Sequence, residues 1–162
     1  MERIVRTDFR KVHGFSKADS LSLLPARVWS ADEWNRIRLG YRAGGMDERW
    51  NAFAEGDRLF LHRSWTGHRI YEAVFAPAPD TAGSWIISGA LVEGDPRRHR
   101  RTSDAYDAVM LEVLVTSVLL GERSAAGWQR LNELRGGEPG DTSPRHDALG
   151  LRATDHAPDP AG

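Results

Sequence analysis

The sequence predicts an α+β fold in which a four-stranded antiparallel meander, over about residues 49–92, packs against one long buried helix, over about 104–120. Two observations carry this prediction. Three short alternating segments, separated by Gly-containing pairs, precede a fourth, and a strongly apolar helical segment follows them. The chain has 162 residues, the size of one ordinary domain, and short flanking helices complete the predicted fold.

The first helix is predicted over 31–39 from its N-terminal signals. Ser30 and Glu33 have the spacing of a capping box, and a Trp on either side of the cap suits a hydrophobic staple. Gly40 then ends the helix. Residues 1–28 show no clear periodicity, although their short apolar stretches leave room for added strands.

The central segment predicts four strands, at 49–55, 58–65, 69–75 and 85–92. The pairs Gly56-Asp57 and Gly67-His68 separate the first three strands. A Gly in the first position suits a two-residue type II′ hairpin loop, because Gly tolerates a positive φ. A turn-rich loop separates the third strand from the fourth, and the simplest topology for the four is a meander.

Two-residue loops would fix the register of both hairpins, and so the side chains that meet on the sheet. They place Arg63 beside Trp50 and opposite Glu72. This arrangement suits either a structural ion pair stacked on an indole or a site for an anionic ligand. The other face then carries a row of polar side chains: Arg49, Asn51, His62, Ser64 and Tyr71. That row predicts either a ligand pocket or an ordinary solvent-exposed face.

Two helices follow the predicted sheet. Ser103 is the expected cap of the long helix, whose apolar residues cover most of its circumference, so that it should be buried on nearly all sides. Glu112 lies on the least apolar stripe of that helix. We expect it to face solvent or, if buried, to have either a partner such as an Arg or a raised pKa. A final amphipathic helix is predicted over 125–134.

Composition narrows the functional classes. The absence of Cys excludes disulfides, Cys-ligated zinc and a thiol nucleophile. A net charge of −1 and the lack of a recognition motif argue against nucleic acid as a partner. No targeting signal or membrane-length apolar run is present, which predicts a cytoplasmic protein. We predict one domain over 1–135 and a disordered tail over 136–162, which is rich in Gly, Pro, Asp and Arg.

The sequence contains no evident catalytic or metal-binding motif. The six His residues lack metal-site spacing and no P-loop is present, so neither a metal nor a cofactor is predicted. Ser64 and His62 lie two residues apart on one strand face, about 7 Å between Cβ atoms and too far for a direct hydrogen bond. The basic run 97–101 precedes the long helix and is either a phosphate site or a solvated loop.

Three segments carry a resemblance to a known family: MDERW at 46–50, LFLHRSWTG at 59–67 and IYE at 70–72. They resemble a family of uncharacterised, largely actinobacterial proteins, and the resemblance spans about residues 28–93. A fainter similarity connects the same kind of segment to one attached to macrodomain proteins, which process ADP-ribose. The resemblance implies a link to ADP-ribose or NAD-derived ligands and carries over no catalytic residue.

Three functional hypotheses follow, of which we favour the first because no catalytic constellation is present. The first is a binding or accessory module that recognises a nucleotide-like ligand or a partner protein. Its face of Trp, Arg, His and neighbouring side chains comprises Arg49, Trp50, Asn51, His62, Arg63, Ser64, Trp65, Tyr71 and Glu72. The third is an immunity-type or self-associating protein that uses a sheet edge or the last helix.

The second hypothesis is a hydrolase or transferase that acts on a nucleotide-like substrate. In that case His62 or Glu72 is the general base. The anion-holding and supporting side chains would be Arg63 or Arg49, with Tyr71 or Asp47.

Overall fold

The structure is a computed structural model that describes residues 2–45 and 47–135. Within these residues, one antiparallel sheet of five strands has the order β1-β5-β4-β3-β2. The strands are β1 (Ala18–Ser20), β2 (Trp50–Glu55), β3 (Arg58–Arg63), β4 (Arg69–Pro77) and β5 (Trp85–Glu93). The helices are α1 (Ala31–Ile37), α2 (Asp104–Leu114) and α3 (Ala125–Arg135), and a short 3₁₀ turn spans Arg6–Asp8. The predicted tail, 136–162, lies outside the described residues.

The α+β class and the antiparallel sheet are confirmed, but the predicted number of four strands is wrong. The added strand, β1, pairs with β5 from Ala18 opposite Glu93 to Ser20 opposite Leu91. Three residues are too few to show an alternating pattern, so the sequence gives no signal for this strand. Tertiary contacts fix its place instead. The buried Glu93 carboxylate accepts hydrogen bonds from the backbone N–H groups of Ser16 and Lys17, each at 2.8 Å.

The first helix begins where the sequence predicts. The Ser30 side chain accepts a hydrogen bond from the Glu33 N–H at 3.0 Å, and the Glu33 carboxylate accepts one from the Ser30 N–H at 2.8 Å. The helix ends at Ile37, two residues before the predicted end. Gly40 then takes a φ of +77° and turns the chain toward the sheet.

The predicted long buried helix is present, but it changes type along its length. After α2 ends at Leu114, the chain continues as a π-helical turn over Val115–Leu119, all of whose residues are buried. The predicted cap is confirmed, since the Ser103 side chain accepts a hydrogen bond from the Tyr106 N–H. Helical periodicity in a sequence does not distinguish an α turn from a π turn, and for this reason the change was not predicted.

Arg27 joins the chain before α1 to the long helix. Its guanidinium donates to Thr116 Oγ1 at 3.0 Å and to the Glu33 carboxylate at 2.5 Å. Its backbone N–H donates to Glu112 Oε1 at 3.1 Å. Glu112 is half-buried. Its hydrogen-bond partner is the backbone N–H of Arg27 and not an arginine guanidinium.

The two hairpins differ in how well the sequence predicts them. The first is confirmed, with Glu55 opposite Arg58 across a two-residue loop in which Gly56 has a φ of +62°. The predicted register of β3 and β4 is wrong: Glu72 lies opposite Phe60, three residues along β3 from Arg63. An odd shift moves the β4 side chains to the opposite sheet face, so the predicted polar row does not form.

The two faces of the sheet are covered by different parts of the chain. On one face the helices complete the main core, where Trp34 of α1 stacks on Phe75 of β4 with ring centroids 4.4 Å apart. Leu114 of α2 is fully buried in the same core. Residues 2–17, which we call the N-terminal segment, cover the other face. There the Phe9 ring packs against the Phe53 ring of β2, with ring centroids 5.9 Å apart. The candidate site lies where this segment meets the end of β3.

Replacing Glu93 by Gln should destabilise the protein by about 2–4 kcal/mol, because an amide N–H₂ would face backbone donors that now share a buried carboxylate. Glu55→Gln is the matched control. It alters an exposed pair with Arg6, side chains 42% and 47% exposed, and should cost less than about 1 kcal/mol. Urea unfolding measures both. Equal losses in the two variants would contradict the role given to Glu93.

Candidate functional site

The most exposed large apolar side chain of the described residues lies at the end of β3. Trp65 is 61% exposed, ahead of Leu23 at 51%. It belongs to residues 64–68, which connect β3 to β4 and which we call the Trp65 turn. An exposed indole on an ordered turn offers a flat apolar surface on which a planar ligand can stack. The Trp65 turn is therefore the natural place to look for a ligand.

Backbone hydrogen bonds hold the Trp65 turn in one conformation. The Gly67 N–H donates to Arg63 O at 2.8 Å, and the Arg63 N–H donates to His68 O at 2.9 Å. The Ser64 N–H donates to Arg49 O at 2.8 Å, which attaches the turn to the start of β2. This closed turn, longer than the predicted two-residue loop, is the reason for the changed register of β4.

The N-terminal segment fastens the same turn from outside the sheet. The His13 N–H donates to Gly67 O at 2.8 Å, and the Arg69 N–H donates to His13 O at 2.9 Å. Lys11 Nζ lies 3.5 Å from Trp65 O. A Cβ at Gly67 would lie 2.5 Å from Lys11 O, and Gly67 has a φ of +74°. Glycine is thus required there both by the backbone conformation and by the close approach of Lys11.

His62 supports the turn from beneath. It is 2% exposed, its Nδ1 lies 2.9 Å from Gly67 O, and Arg69 Nε donates to its Nε2 at 3.4 Å. Burial lowers the pKa of His62 to about 4, with a smaller effect in the same direction from the Arg69 charge, against the hydrogen bond to Gly67. The imidazole is neutral near pH 7, so Nδ1–H is the donor to Gly67 O.

Two pockets adjoin the Trp65 turn. The Arg63 pocket has a volume of about 220 Å³ and is lined by Arg49, Arg63, Ser64, Trp65 and Thr66. The Arg42 pocket has a volume of about 430 Å³ and is lined by Asp8, Phe9, Arg10, Lys11, Arg42, Ala43, Gly44, Gly45, Asn51, Ser64 and Trp65. Ser64 and Trp65 line both pockets, so the two pockets adjoin each other at these residues.

Both pockets are rich in cationic side chains. The described residues that line the Arg63 pocket include two arginines and no acid. Those that line the Arg42 pocket include three cations, Arg10, Lys11 and Arg42, against Asp8. The Asp8 carboxylate already accepts a hydrogen bond from the Val5 N–H at 2.8 Å. Each pocket is thus suited to an anion, although the whole chain has a net charge of −1.

Asn51 and Ser64 hold the walls of the Arg42 pocket in place. Asn51 Oδ1 accepts a hydrogen bond from the Ala43 N–H at 2.7 Å, which fixes the chain after α1 against β2. Ser64 Oγ donates to Glu48 O at 2.7 Å. Glu48 in turn accepts a hydrogen bond from the Tyr41 hydroxyl at 2.6 Å. These polar groups give the pocket its shape.

Aromatic rings support Arg63 from the core side. Its guanidinium carbon lies 4.9 Å from the centroid of the Trp50 ring, the predicted cross-strand neighbour. Trp50 is itself stacked on Tyr71 at a centroid distance of 6.2 Å. The Tyr71 hydroxyl donates to Asp107 Oδ1 at 2.6 Å. Arg63 is thus connected to α2 through two buried rings, those of Trp50 and Tyr71.

Asp107 is the buried charge at the end of this chain of contacts. His99 Nε2 lies 3.1 Å from its carboxylate, and Arg101 Nε donates to it at 2.8 Å. Burial alone would raise the pKa of Asp107, but hydrogen bonds from His99, Tyr71 and Arg101 outweigh it and lower the pKa. Burial, then the adjacent Asp107 charge, raises the pKa of Tyr71 well above its usual value. The Asp107 carboxylate is thus compensated by its hydrogen-bond donors and attaches Tyr71 to α2.

The basic run 97–101 serves the fold. Arg97 pairs with Asp95 at 2.8 Å, and Arg98 donates to Gly14 O at 3.1 Å. Arg101 bonds to Asp107, as described, and to the first turn of α2. Of the two alternatives that the sequence left open, a phosphate site and a solvated loop, the exposure of Arg97 and Arg100 agrees with the second, while Arg98 and Arg101 fasten the loop to the N-terminal segment and to α2.

The structure brings together five of the nine predicted site residues at the two pockets: Arg49, Asn51, Arg63, Ser64 and Trp65. Trp50 lies under Arg63 and is buried. Tyr71 is buried on the helix side of the sheet, and His62 on the opposite side. Asp47 is exposed and lines neither of these pockets.

Glu72 is the residue whose environment differs most from the prediction. Its expected partner was Arg63, but the changed register gives it ion pairs with Arg58 at 2.7 Å and Arg69 at 3.3 Å. The residues that the sequence prediction missed are Arg10, Lys11 and Arg42. The segments that contain these residues show no helical or strand periodicity, so their positions could not be predicted from the sequence. Only the folded chain shows that they lie near Trp65.

Comparison with known proteins adds no relative to this description: no protein-family profile, no curated protein and no solved structure matches the chain. Among the described residues, no group of three or more His, Asp or Glu side chains is arranged to hold a metal ion. In residues 2–45 and 47–135, no helix is both long and apolar enough to cross a bilayer. The functional assignment therefore rests on the geometry of the two pockets.

The buried neutral state of His62 predicts a pH-dependent stability. The pKa of His62 is about 4 in the folded protein, below the ordinary 6.5. Its contribution to the free energy of unfolding is therefore complete above about pH 6.5 and is lost as the pH falls toward about 4. Between pH 7.5 and pH 5, His62 should account for a loss of about 2 kcal/mol.

Urea unfolding of the wild type and of His62→Gln at both pH values measures this contribution. The Gln amide keeps a donor toward Gly67 O but does not titrate, so the wild type should lose about 2 kcal/mol more than the variant over this range. Groups elsewhere titrate equally in both proteins and cancel in the difference. Parallel pH profiles would show that His62 is not held neutral.

Proposed function

We propose that this protein is a binding module for a nucleotide-like anion, with Trp65 as the stacking surface and Arg63 and Arg49 as phosphate contacts. The observation that carries the proposal is the exposed Trp65 indole on a turn held by backbone hydrogen bonds, where it lines two pockets that also contain cationic side chains. An exposed aromatic ring beside arginines is the combination that recognises a base and its phosphate together.

Energetics support this combination. Stacking of a base on an aromatic side chain is worth about 1–3 kcal/mol, and it requires only that the ring be accessible and held still. The Trp65 turn is held by its own backbone bonds and by the N-terminal segment, so binding would order little new structure. Arginine guanidinium groups bind phosphate oxygens in a bidentate manner, which adds strength and orientation.

The identity of the nucleotide is a further part of the proposal. The resemblance of the 46–72 segments implies ADP-ribose or NAD-derived ligands, and both contain the base and the phosphate groups that this site would contact. Such ligands are intracellular metabolites, and we propose a cytoplasmic location with them. A partner protein is the alternative if small molecules do not bind.

The positions of His62 and Glu72 favour binding over catalysis. A general base must reach the substrate within hydrogen-bond distance, yet both ring nitrogens of His62 have partners inside the protein. Glu72 is 8% exposed and engaged in two ion pairs. Neither residue lines the Arg63 pocket or the Arg42 pocket.

Thermal-shift and calorimetric titrations with ADP-ribose, NAD, AMP and ATP test the proposal. A ligand at 100 times its Kd should stabilise the protein by about 2.7 kcal/mol, a shift of about 2–4 °C. Trp65→Ala should weaken binding about ten-fold or more through lost stacking. Arg63→Ala should have an effect of about the same size through the lost phosphate contact.

Arg130→Ala is the matched control, since Arg130 is exposed on α3 and pairs with the neighbouring Glu133, away from both pockets. It should leave affinity unchanged. The proposal is wrong if none of the four ligands shifts the melting temperature at millimolar concentration, or if Trp65→Ala binds as tightly as the wild type. Turnover of a bound nucleotide that disappears in Glu72→Gln would instead indicate the enzyme.

A further inference from the structure

We infer that the Arg42 pocket is a second subsite of the proposed binding module and that it holds a phosphorylated sugar. The ligand is then a nucleoside diphosphate joined to a second ribose, the chemistry that ADP-ribose and NAD share, and not a mononucleotide. This inference rests on the proposed function, in which the base stacks on Trp65. It comes from the side chains of the Arg42 pocket, which a base with one phosphate does not require.

The two pockets differ in size and adjoin each other. The Arg63 pocket, at about 220 Å³, is smaller than the roughly 300–1,000 Å³ of most ligand sites, whereas the Arg42 pocket, at about 430 Å³, falls within that range. Because Ser64 and Trp65 line both, a ligand whose base lies on the indole can continue into the Arg42 pocket. The larger volume is thus available to the part of the ligand beyond the base and its first phosphate.

Three cationic side chains line the Arg42 pocket. Arg10 and Lys11 come from the N-terminal segment and Arg42 from the chain after α1, and all three are exposed. Among the described residues, no carboxylate pairs with Arg10 or Arg42. Like charges gathered from two separate segments repel one another, and a bound phosphate relieves that repulsion. These cations account for the phosphate of the second subsite.

Three other polar groups of the same pocket suit sugar hydroxyls. Asn51 Oδ1 accepts a hydrogen bond from the Ala43 N–H at 2.7 Å, which leaves the Asn51 amide N–H₂ as a donor. The Ser64 hydroxyl donates to Glu48 O at 2.7 Å, so its oxygen is left as an acceptor. The Asp8 carboxylate adds a second acceptor. A sugar hydroxyl both donates and accepts, and so it can pair with either kind of group.

The Asp8 carboxylate favours a sugar over additional phosphate. In a pocket that binds phosphate alone, a carboxylate weakens binding, because it repels the phosphate oxygens. Beside a sugar, the same carboxylate accepts hydrogen bonds from hydroxyl groups. Three cations and one carboxylate therefore fit a phosphate with its attached sugar better than the polyphosphate chain of ATP.

Backbone contacts fix the Arg42 pocket relative to the Trp65 turn. The His13 N–H, two residues after Lys11, donates to Gly67 O of that turn at 2.8 Å. Asn51 of β2 accepts a hydrogen bond from the residue that follows Arg42. The segments that carry the cations are therefore already in place, and binding would order little more than their side chains.

Isothermal titration with AMP, ATP, ADP-ribose and NAD tests the inference. ADP-ribose should bind about ten-fold or more tightly than AMP, because its second phosphate and second ribose gain contacts in the Arg42 pocket. ATP should bind no more tightly than ADP-ribose, although it carries more charge. A salt concentration of about 0.15 M screens long-range attraction, so that the comparison reports direct contacts.

Arg42→Ala tests the phosphate contact of the second subsite. It should weaken ADP-ribose binding about ten-fold and AMP binding by less than about two-fold, because AMP ends before the Arg42 pocket. Arg42 is exposed, so the variant should fold as the wild type does. Arg130→Ala removes the same charge from α3 and should change neither affinity. Equal losses for AMP and ADP-ribose in Arg42→Ala would overturn the inference.

Asp8→Asn separates recognition of the sugar from the effect of charge. The Asn side chain can still accept the hydrogen bond from the Val5 N–H, but the carboxylate is lost. The preference for ADP-ribose over ATP should therefore fall by about five-fold. If the pocket contacted phosphate alone, the variant would bind both ligands more tightly by equal factors, and the sugar assignment would be wrong.

The comparison of ADP-ribose with NAD separates the two sources of the ligand. NAD carries a cationic nicotinamide ring on its second ribose, and the cations of the Arg42 pocket would repel that ring. ADP-ribose should therefore bind more tightly than NAD. Tighter binding of NAD would identify NAD as the source and would still support a diphosphate with a second ribose.

The inference is overturned if ADP-ribose binds no more tightly than AMP, or if ATP binds more tightly than ADP-ribose. In either case the proposed function stands as long as AMP binding is lost in Trp65→Ala. If none of the four ligands binds at millimolar concentration, both are wrong.

Discussion

The close approach of Gly67 to Lys11 is the constraint on which the rest of the site depends. Gly67 O accepts hydrogen bonds from the His13 N–H and from the His62 ring, and the position of the Gly67 Cα leaves no room for a side chain. One carbonyl therefore joins β3, the Trp65 turn and the N-terminal segment. Through it Lys11 comes to lie beside Trp65, and His62 stays buried and neutral.

Buried carboxylates organise the other end of the molecule in a similar way. Desolvating Glu93 and Asp107 is costly, but each is surrounded by several donors that offset the cost. Glu93 fixes the end of the N-terminal segment to β5, and Asp107 fixes Tyr71 to α2. Tyr71 packs against Trp50, and the Arg63 guanidinium lies over the Trp50 ring. The position of Arg63 therefore depends on the buried Asp107 carboxylate.

Local signals in the sequence were sufficient wherever a feature is determined within a few residues. The capping box at Ser30, the hairpin at Gly56 and the pairing of Trp50 with Arg63 are of this kind. The hairpin at Gly67 has the same kind of Gly-X pair, but its turn is decided by Lys11 and His13, more than fifty residues earlier in the chain. Propensity cannot carry such information, so the register of β4 and the partners of Glu72 were not predictable.

The partners of the polar side chains are the reason that we propose binding, and not catalysis, for the candidate site. The groups best able to transfer protons, His62, Glu72 and Asp107, are consumed by hydrogen bonds that hold the fold. The pockets hold an aromatic surface, arginines and a lysine beside the single carboxylate of Asp8. Under the proposed function, affinity should therefore fall as the salt concentration rises, because the contacts between arginine and phosphate are screened.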